Sequence, residues 1–587
     1  QGKEGFSKTM IFGKFAVEPR AISTIASYAA ECFTTGNPEA IKIAPSSQVR
    51  QYFANDNSVE EGTDQSDAEE ITKQTRLPRP RLVFKNDDSS YSLLSYCYPS
   101  WYLADLVNSN LKLDPEQSLE SVRSNIGSMI KADLQGMESF IQRPAIATDA
   151  RWYLFALLFL DYKNHPLKLK AICSEDSDYD IDSWEMNKNL NQLYKWMNVI
   201  DHSGPSGLAL ELGLGSIPLN LESTLASIAL GGSANVMLQT LLSNITIGSE
   251  LSDNFVFPLL FTSSVYFANA SRSYFNSPEA ISIIDLTNSI SKSDYWLAVI
   301  NYNMNGCLRA VLDEYFYMQT DGEVILKEEE EKDPVIIKIV ETLASVLSIR
   351  TSTLDADLLN SRGLIQREAL RIHYAIAFID QQETEDTNKR KQSVQDAFNS
   401  PFRPFILATT SIGQEGLDFH KYCRELMHWS LPDNAIDLEQ REGRINRYKH
   451  FALRLNLFAR YRGQFKTGSI DKSPWAMLFG MAENDHMLRG DKCQLVPYWH
   501  VPLVKYPLER TVPLYPFSKD GFHLERLLKT LMVYRMSLGQ PNQEDLVKYL
   551  LQNFSEQELE TYKAKLMINL SPVAYAERAK EEKLDVV

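Results

Sequence analysis

The feature that most constrains the fold of this 587-residue chain is an alternation of apolar and amphipathic segments between residues 371 and 458. Apolar runs of strand length are separated by segments whose apolar residues recur with a helical period. Because each crossover between parallel strands needs a helix-sized connection, this order favours a parallel sheet covered by helices. We therefore predict an α/β fold, with strands at 371–379, 402–409, 425–431 and 451–458 and helices at 386–398 and 435–446.

One further strand and helix lie far from this region, at residues 8–15 and 19–32. They have the form of a strand–helix unit of the same sheet, and the long stretch that follows them has mainly helical patterning. We therefore expect one α/β domain formed by residues 1–35 and 366–470. A large, mainly helical insertion at 36–365 interrupts it, and a C-terminal helical region follows at 471–587.

The charge of the chain bears on its partners. A formal net charge of −16 does not suit general binding to nucleic acid, which needs lysine and arginine opposite phosphates. Residues 441–466 depart from this balance, with eight basic residues and one acid, Glu442. This basic window is either the ordinary surface of the domain or a local contact for nucleic acid.

The cysteines and the hydropathy of the chain bear on its location. The six cysteines are scattered and no two have CxxC spacing, so we expect no zinc site and no metal held by this chain. The most apolar stretch, at 152–160, is much shorter than the roughly 20 residues that cross a bilayer. We expect a cytoplasmic protein without a membrane partner.

A strand that ends in a glycine-containing loop gives the first sign of chemistry. Residues 405–419 read FILATTSIGQEGLDF, so that Gly413, Gly416 and Asp418 follow the apolar strand. Ligands of such sheets lie at the carboxyl ends of the strands, where glycine allows the backbone to approach a phosphate or a ribose.

The second segment follows about 20 residues later, at 440–447, and reads QREGRINR. On a continuous helix, Gln440, Arg444 and Arg447 share one face, because residues three and four apart are neighbours. Two guanidinium groups that point the same way suit a γ-phosphate in transfer, where negative charge develops on the phosphoryl oxygens.

These two segments resemble the conserved motifs of superfamily 2 helicases. The pattern Thr409-Thr-Ser-x-Gly-x-Glu-Gly-x-Asp418 resembles motif V, and Gln440-x-x-Gly443-Arg444-x-x-Arg447 resembles motif VI. Residues 10–20 resemble motif IV. The stretch from Leu431 to Gln440 is similar to bacterial Swi2/Snf2-like translocases of the RapA type, and residues 534–543 are similar to helicase-like proteins found near defence genes.

The resemblance implies a second RecA-like lobe, interrupted by the helical insertion, in an ATP-dependent translocase. It implies arginine fingers at Arg444 and Arg447, with Gln440 sensing the γ-phosphate or the attacking water. It also implies two sets of binding residues: for nucleotide Gly416, Asp418 and Gly443, and for nucleic acid Lys14, Thr409, Thr410 and Ser411.

The chain departs from a complete motor because it contains no GxxxxGK[ST] sequence, the loop that holds the β- and γ-phosphates and places Mg²⁺. We expect ATP and Mg²⁺ to be held mainly by a first RecA-like lobe, in a longer protein or a separate chain. Double-stranded DNA is the favoured polymer and RNA is an alternative. Anti-phage defence, with further complex subunits, is the expected setting. The rival interpretation is a non-catalytic helicase-like scaffold.

Overall fold

A five-stranded parallel sheet organises the α/β part of the protein. We describe it from a computed structural model that covers residues 6–34, 82–84, 89–110, 117–144, 149–174, 191–247, 253–277, 280–281, 283–284, 295–321, 324–326, 335–349, 352–359, 365–372, 374–378, 385–410, 417–464, 473–488, 494–501, 505–537 and 539–566. The strands are β1 (Lys8–Gly13), β2 (Ile245–Ile247), β3 (Val324–Leu326), β4 (Ser352–Leu359), β5 (Ile365–Ile372), β6 (Ala375–Phe378), β7 (Ile406–Thr410), β8 (Cys423–His428) and β9 (Glu509–Thr511).

The strand order in this sheet is β6–β7–β1–β8–β9, and every neighbouring pair is parallel. Strand β1 therefore lies in the middle, between strands that follow it by about 400 residues in the sequence, and Met10 is in register with both Leu407 and Leu426. The predicted α/β fold with a parallel, RecA-like sheet is confirmed, including the place of the early strand.

Alternate residues of β1 face opposite sides of the sheet, as the pleat requires. Met10 and Phe12 join a buried cluster with Phe398 and Phe419 on one face, while Ile11 packs against Ile22 on the other. Both faces are thus covered, which is typical of parallel sheets. The helices of the lobe are α1 (Val17–Thr34), α14 (Glu385–Phe398), α15 (Ala435–Gly443) and α16 (Phe451–Tyr461).

The helices described between residues 89 and 347 form what we call the helical body. They share one large buried cluster, which also takes in Tyr422 and Phe451 from the lobe, so that the two parts pack together. Its members are α2 (Ser89–Cys97), α3 (Trp101–Asn110), α4 (Leu119–Asp133), α5 (Arg151–Asn164), α6 (Pro166–Cys173), α7 (Asn191–Leu212), α8 (Leu221–Gly231), α9 (Ser233–Asn244), α10 (Asp253–Phe275), α11 (Tyr295–Asn305), α12 (Leu308–Thr320) and α13 (Val335–Leu347).

The C-terminal region is helical apart from the edge strand β9, as the sequence predicted. It contains α17 (Pro474–Leu488), α18 (Asp520–Met536), α19 (Gln543–Asn553) and α20 (Glu556–Leu566). Helix α18 packs on α15 of the lobe through Leu527 and Leu531. The region is therefore attached directly to the helix that carries the motif VI-like sequence.

The structure corrects two of the predicted strands and adds one. Residues 451–458 form a helix, α16, instead of a strand. The strand predicted at 371–379 is shorter and begins at Ala375, because the preceding residues pair with β4 in an antiparallel hairpin. Strand β9 was not predicted. The boundaries proposed for the insertion and the C-terminal region stay predictions.

Within the part of the chain that the structure describes, no single helix has the length and apolar character needed to cross a membrane. Helices α8 and α9 satisfy those criteria only as a pair, and the pair is bent by 51°.

Candidate functional site

The two helicase-like motifs lie side by side, although about 20 residues separate them in the sequence. The chain leaves β7 at Thr410 and is described again from Leu417, on its way to β8. There the backbone N–H of Phe419 donates to the carbonyl of Arg444 at 3.1 Å. The Asp418 carboxylate accepts from Nε of Arg447 at 2.8 Å. The end of the first motif is thus fastened to the end of the second.

The two arginines differ in what they can reach. Arg444 is only 8% exposed, and its Nη1 donates to the carbonyl of Leu417 at 3.0 Å. The side chains of Arg447 and Asp418 are 38% and 46% exposed. Arg447 is therefore the guanidinium that faces solvent, while Arg444 holds the exit of the motif V-like loop.

Helix α15 ends earlier than the sequence suggested, and this separates the residues expected on one face. Its N-cap is Asn434, whose side chain accepts from the N–H of Ile436 at 2.9 Å. The helix ends at Gly443, so Arg444 is the C-cap and Arg447 lies beyond the helix. The prediction of a single helical face for Gln440, Arg444 and Arg447 is wrong, because the helix does not continue past Gly443.

Gln440 and Gly443 frame the end of this helix. Gln440 is exposed on its last turn. A methyl group built on Gly443 would lie 3.8 Å from Nη1 of Arg447, an ordinary contact. The glycine thus leaves that flank of the guanidinium open.

The predicted contacts with nucleic acid have different outcomes. Ser411 lies outside the described residues, as does Gly416, which was predicted to bind nucleotide. Thr409 and Thr410 are buried at the end of β7, where Oγ1 of Thr409 donates to the carbonyl of Thr410 at 3.1 Å. Contact of these hydroxyls with a nucleic-acid backbone requires the adjoining loop to expose them, and it stays a prediction.

Lys14 follows β1 at the carboxyl edge of the sheet and is exposed. Its Nζ lies 2.8 Å from the Asp433 carboxylate, in the segment that leads into α15. The same turn is closed by Glu18, whose carboxylate accepts from the backbone N–H of Lys14 at 2.6 Å. Since surface ion pairs contribute little energy, a phosphate can compete with Asp433 for this ammonium group.

The basic window at 441–466 is not the surface that its composition suggested. Of its seven basic residues that the structure describes, four are buried: Arg441, Arg444, Lys449 and Arg454. Arg441 donates from Nη1 to the carbonyl of Ser430 at 3.0 Å and lies over the ring of Phe12. Burial lowers the pKa of Arg441 to about 10. These side chains hold the lobe together, so the alternative of nucleic-acid contact is wrong for them.

Arg454 is the most deeply buried of the four and connects the lobe to the helical body. Its Nε donates to Glu314 of α12 at 2.9 Å, and its Nη1 to the carbonyl of Lys449 at 2.9 Å. Nη2 donates to the carbonyl of Lys421, in the segment before β8. One guanidinium therefore joins α12, the turn after the second motif and the segment before β8.

Residues of the C-terminal region also hold α15, a contact that no sequence pattern predicts. Arg510 on β9 donates to Glu442 at 2.8 Å, and Arg535 on α18 donates to Glu439 at 2.8 Å. Arg510 lies outside the motifs, and Arg535 lies in the helicase-like stretch 534–543; the packing of the C-terminal region on α15 brings both to this helix. The motif VI-like segment is thus held from two sides.

Comparison with known proteins agrees with this geometry for part of the chain. Residues 332–449 match the helicase conserved C-terminal domain. This match supports a helicase C-terminal lobe with a helicase-type, nucleic-acid-dependent ATPase role. It includes β6, β7, β8 and α15, and it begins within the predicted insertion. No curated protein and no solved structure shows a detectable similarity to the chain.

Proposed function

We propose that this chain supplies the second RecA-like lobe of an ATP-dependent nucleic-acid translocase of the Snf2/RapA type. The observation that carries the proposal is the half-exposed pair of Asp418 and Arg447, which joins the ends of the two motifs. A guanidinium group that one carboxylate orients, and that is also exposed to solvent, can bind an anionic ligand held by another lobe.

In this proposal Arg447 is the arginine finger. Its Nε stays on Asp418, and its Nη groups are directed to the γ-phosphate of ATP held by a first lobe. Guanidinium charge at that place stabilises the transition state of phosphoryl transfer. ATP with Mg²⁺ supplies the phosphoryl group when it is bound.

Arg444 has a positioning role beside it. Because it is buried and bonded to the Leu417 carbonyl, it fixes the backbone that carries Asp418. This differs from the assignment of two equivalent fingers, since only one of the two side chains is open to a ligand. Gln440, exposed on the last turn of α15, remains a candidate for contact with the γ-phosphate or the attacking water.

The nucleic acid is proposed to lie along the carboxyl edge of the sheet, where Lys14 is exposed. Double-stranded DNA remains the favoured polymer. Contacts with the backbone carry no base information, so we expect binding that is independent of sequence and weakened by salt.

The test is ATP hydrolysis by the longest native polypeptide that contains this chain, together with its first lobe if that is a separate chain. In the presence of double-stranded DNA, we expect Arg447→Ala to lower kcat by about 10³-fold or more, the scale typical of arginine fingers. ATP binding should be retained. Arg390→Ala, at an exposed site on α14 of the same lobe, is the control and should leave kcat unchanged.

Two outcomes would count against the proposal. Hydrolysis by Arg447→Ala at the wild-type rate would remove the arginine-finger assignment. Absence of nucleic-acid-stimulated hydrolysis in the wild-type protein, with single-stranded DNA and RNA also tried, would favour the scaffold interpretation.

A further inference from the structure

A buried lysine lies just after Arg447, in an unusual surrounding. Lys449 is almost fully buried, and its backbone is left-handed, with φ of 52°. Its ammonium group lies over four aromatic rings, which we call the lysine cage, with Nζ to ring-centre distances of 4.5 Å for Tyr317, 4.6 Å for Phe479, 5.4 Å for Tyr448 and 5.5 Å for Tyr498.

Hydrogen bonds complete the surroundings of this ammonium group. Nζ donates to Oη of Tyr317 at 2.7 Å and to the Asp321 carboxylate at 2.5 Å. A lysine buried without such partners would be costly, because its charge leaves water. The aromatic rings and the Asp321 carboxylate offset that cost, so the Lys449 ammonium group is held strongly at this position.

The cage brings the helical body to the second motif. Tyr317 belongs to α12, and Asp321 follows directly after that helix, also with a left-handed backbone. Two more contacts join α12 to the lobe: Glu314 with Arg454, and Gln319 with Lys421 at 2.9 Å. Helix α12 is thus the part of the helical body that contacts the segments on either side of the candidate site.

The left-handed backbone of Lys449 indicates what the cage does to the chain. A residue with a Cβ rarely adopts positive φ, and it persists there only where the surroundings hold it. The backbone N–H of Lys449 donates to the Tyr498 carbonyl at 2.9 Å, and that of His450 donates to the Arg447 carbonyl at 3.2 Å. The cage therefore fixes the turn from which the Arg447 side chain extends.

We propose that the helical body, through Tyr317 and Asp321, positions Arg447 by holding Lys449 in its cage, whose other rings come from the lobe and the C-terminal region. With the ammonium group in place, the turn is rigid and Arg447 stays aligned on Asp418. Without the ammonium group, the turn becomes more mobile and the Arg447 guanidinium is no longer held in one orientation. Lys449 is thus a positioning residue, and the helical body takes part in the motor. The catalytic consequence rests on the proposed function, whereas the effect on the turn does not.

The experiment compares Lys449→Met, which removes the charge and keeps the length, with Lys449→Arg, which keeps the charge. Lys168→Met is the matched control, because Lys168 also lies over an aromatic ring, that of Trp101 at 4.6 Å, and pairs with Asp105 at 3.1 Å inside the helical body.

The first measurement is hydrogen–deuterium exchange of the chain, and it needs no activity. We expect Lys449→Met to speed exchange of the Lys449 and His450 amides by about tenfold or more, since their protection depends on local closure of the turn. Lys168→Met should not change them. The second measurement is nucleic-acid-stimulated ATP hydrolysis. We expect Lys449→Met to lower kcat by about tenfold or more with KM for ATP nearly unchanged. The loss of kcat in Lys449→Arg should be smaller than in Lys449→Met.

Unchanged exchange in Lys449→Met overturns the positioning role. Faster exchange with an unchanged kcat overturns its catalytic consequence. If wild-type protein shows no hydrolysis, the proposed function fails, while the exchange measurement still decides whether the cage holds the turn. Should Lys449→Met fail to fold, Asp321→Asn replaces it, because this side chain is largely exposed and supplies the carboxylate from the helical body. It is expected to produce the same changes to a smaller extent.

Discussion

Arg454 offers the sharpest test of how the lobe and the helical body are joined. Its side chain is 0% exposed and donates to the Glu314 carboxylate and to the carbonyls of Lys449 and Lys421. Replacement by Met keeps much of the length and removes every donor. Three acceptors are then left in a buried place, and breaking a buried ion pair from one side typically costs about 3–5 kcal/mol. Because the Glu314 side chain keeps 18% exposure, we expect a loss near the lower end, about 3 kcal/mol.

The assay is urea denaturation of the chain followed by tryptophan fluorescence, with Trp475 close to the guanidinium of Arg454. Arg460→Ala is the control on the same helix, since Arg460 forms a partly exposed pair with Asp485 and should cost less than about 1 kcal/mol. In a double-mutant cycle, Arg454→Met and Glu314→Met should show a coupling of about 1 kcal/mol or more. An Arg454→Met loss no greater than that of Arg460→Ala, or a coupling near zero, would refute the reasoning.

Two further predictions concern buried titratable groups. Burial, with help from Arg454, lowers the pKa of His450 to about 4, so the folded chain keeps this imidazole neutral while the unfolded chain protonates it near pH 6.5. Protonation of the unfolded chain therefore destabilises the fold as the pH falls from 6.5 towards 4, by up to about 3 kcal/mol. The difference between the urea midpoints at pH 7 and pH 4.5 should be smaller in His450→Asn than in the wild-type protein. An equal difference in the two proteins would contradict the assignment. Burial also raises the pKa of Cys97 and of Cys423 to about 12, whereas Cys307 is exposed. Iodoacetamide at pH 8 should therefore modify Cys307 before Cys97 and Cys423 in the native protein, as peptide mass spectrometry would show. Early modification of Cys423 would argue against the buried position of β8.

The sheet was predictable because its strands follow simple rules. Continuous apolar runs such as 405–408 mark strands buried on both faces, and a helix of ordinary period follows or precedes each one. The same rule predicts that the strand at 8–15 belongs to this sheet, and strand β1 lies at its centre. Motif spacing then located the segments that carry Asp418 and Arg447.

The errors arose where the local pattern does not distinguish a helix from a strand or is too short to mark an element. Residues 451–458 have apolar side chains nearly throughout, and Arg454 among them is as buried as its apolar neighbours, so no polar face marked a helix. Strand β9 is a three-residue edge strand of polar composition, which pattern alone does not detect. The separate roles of Arg444 and Arg447 depend on where α15 ends, and this is set by tertiary contacts.

The central position of β1 has a consequence for synthesis of the protein on the ribosome. Thr9 must pair with Ile406, so at about 5–20 residues per second this strand waits tens of seconds for roughly 400 residues to be made. During that time Met10 and Phe12, which end in the core, have no partner strand. The helical body can form its own core in the interval, because its buried cluster comes almost entirely from the residues in between. Folding of the lobe is therefore expected to come late and to depend on a helical body that is already in place, and a chaperone that shields apolar strands would act at residues 8–13.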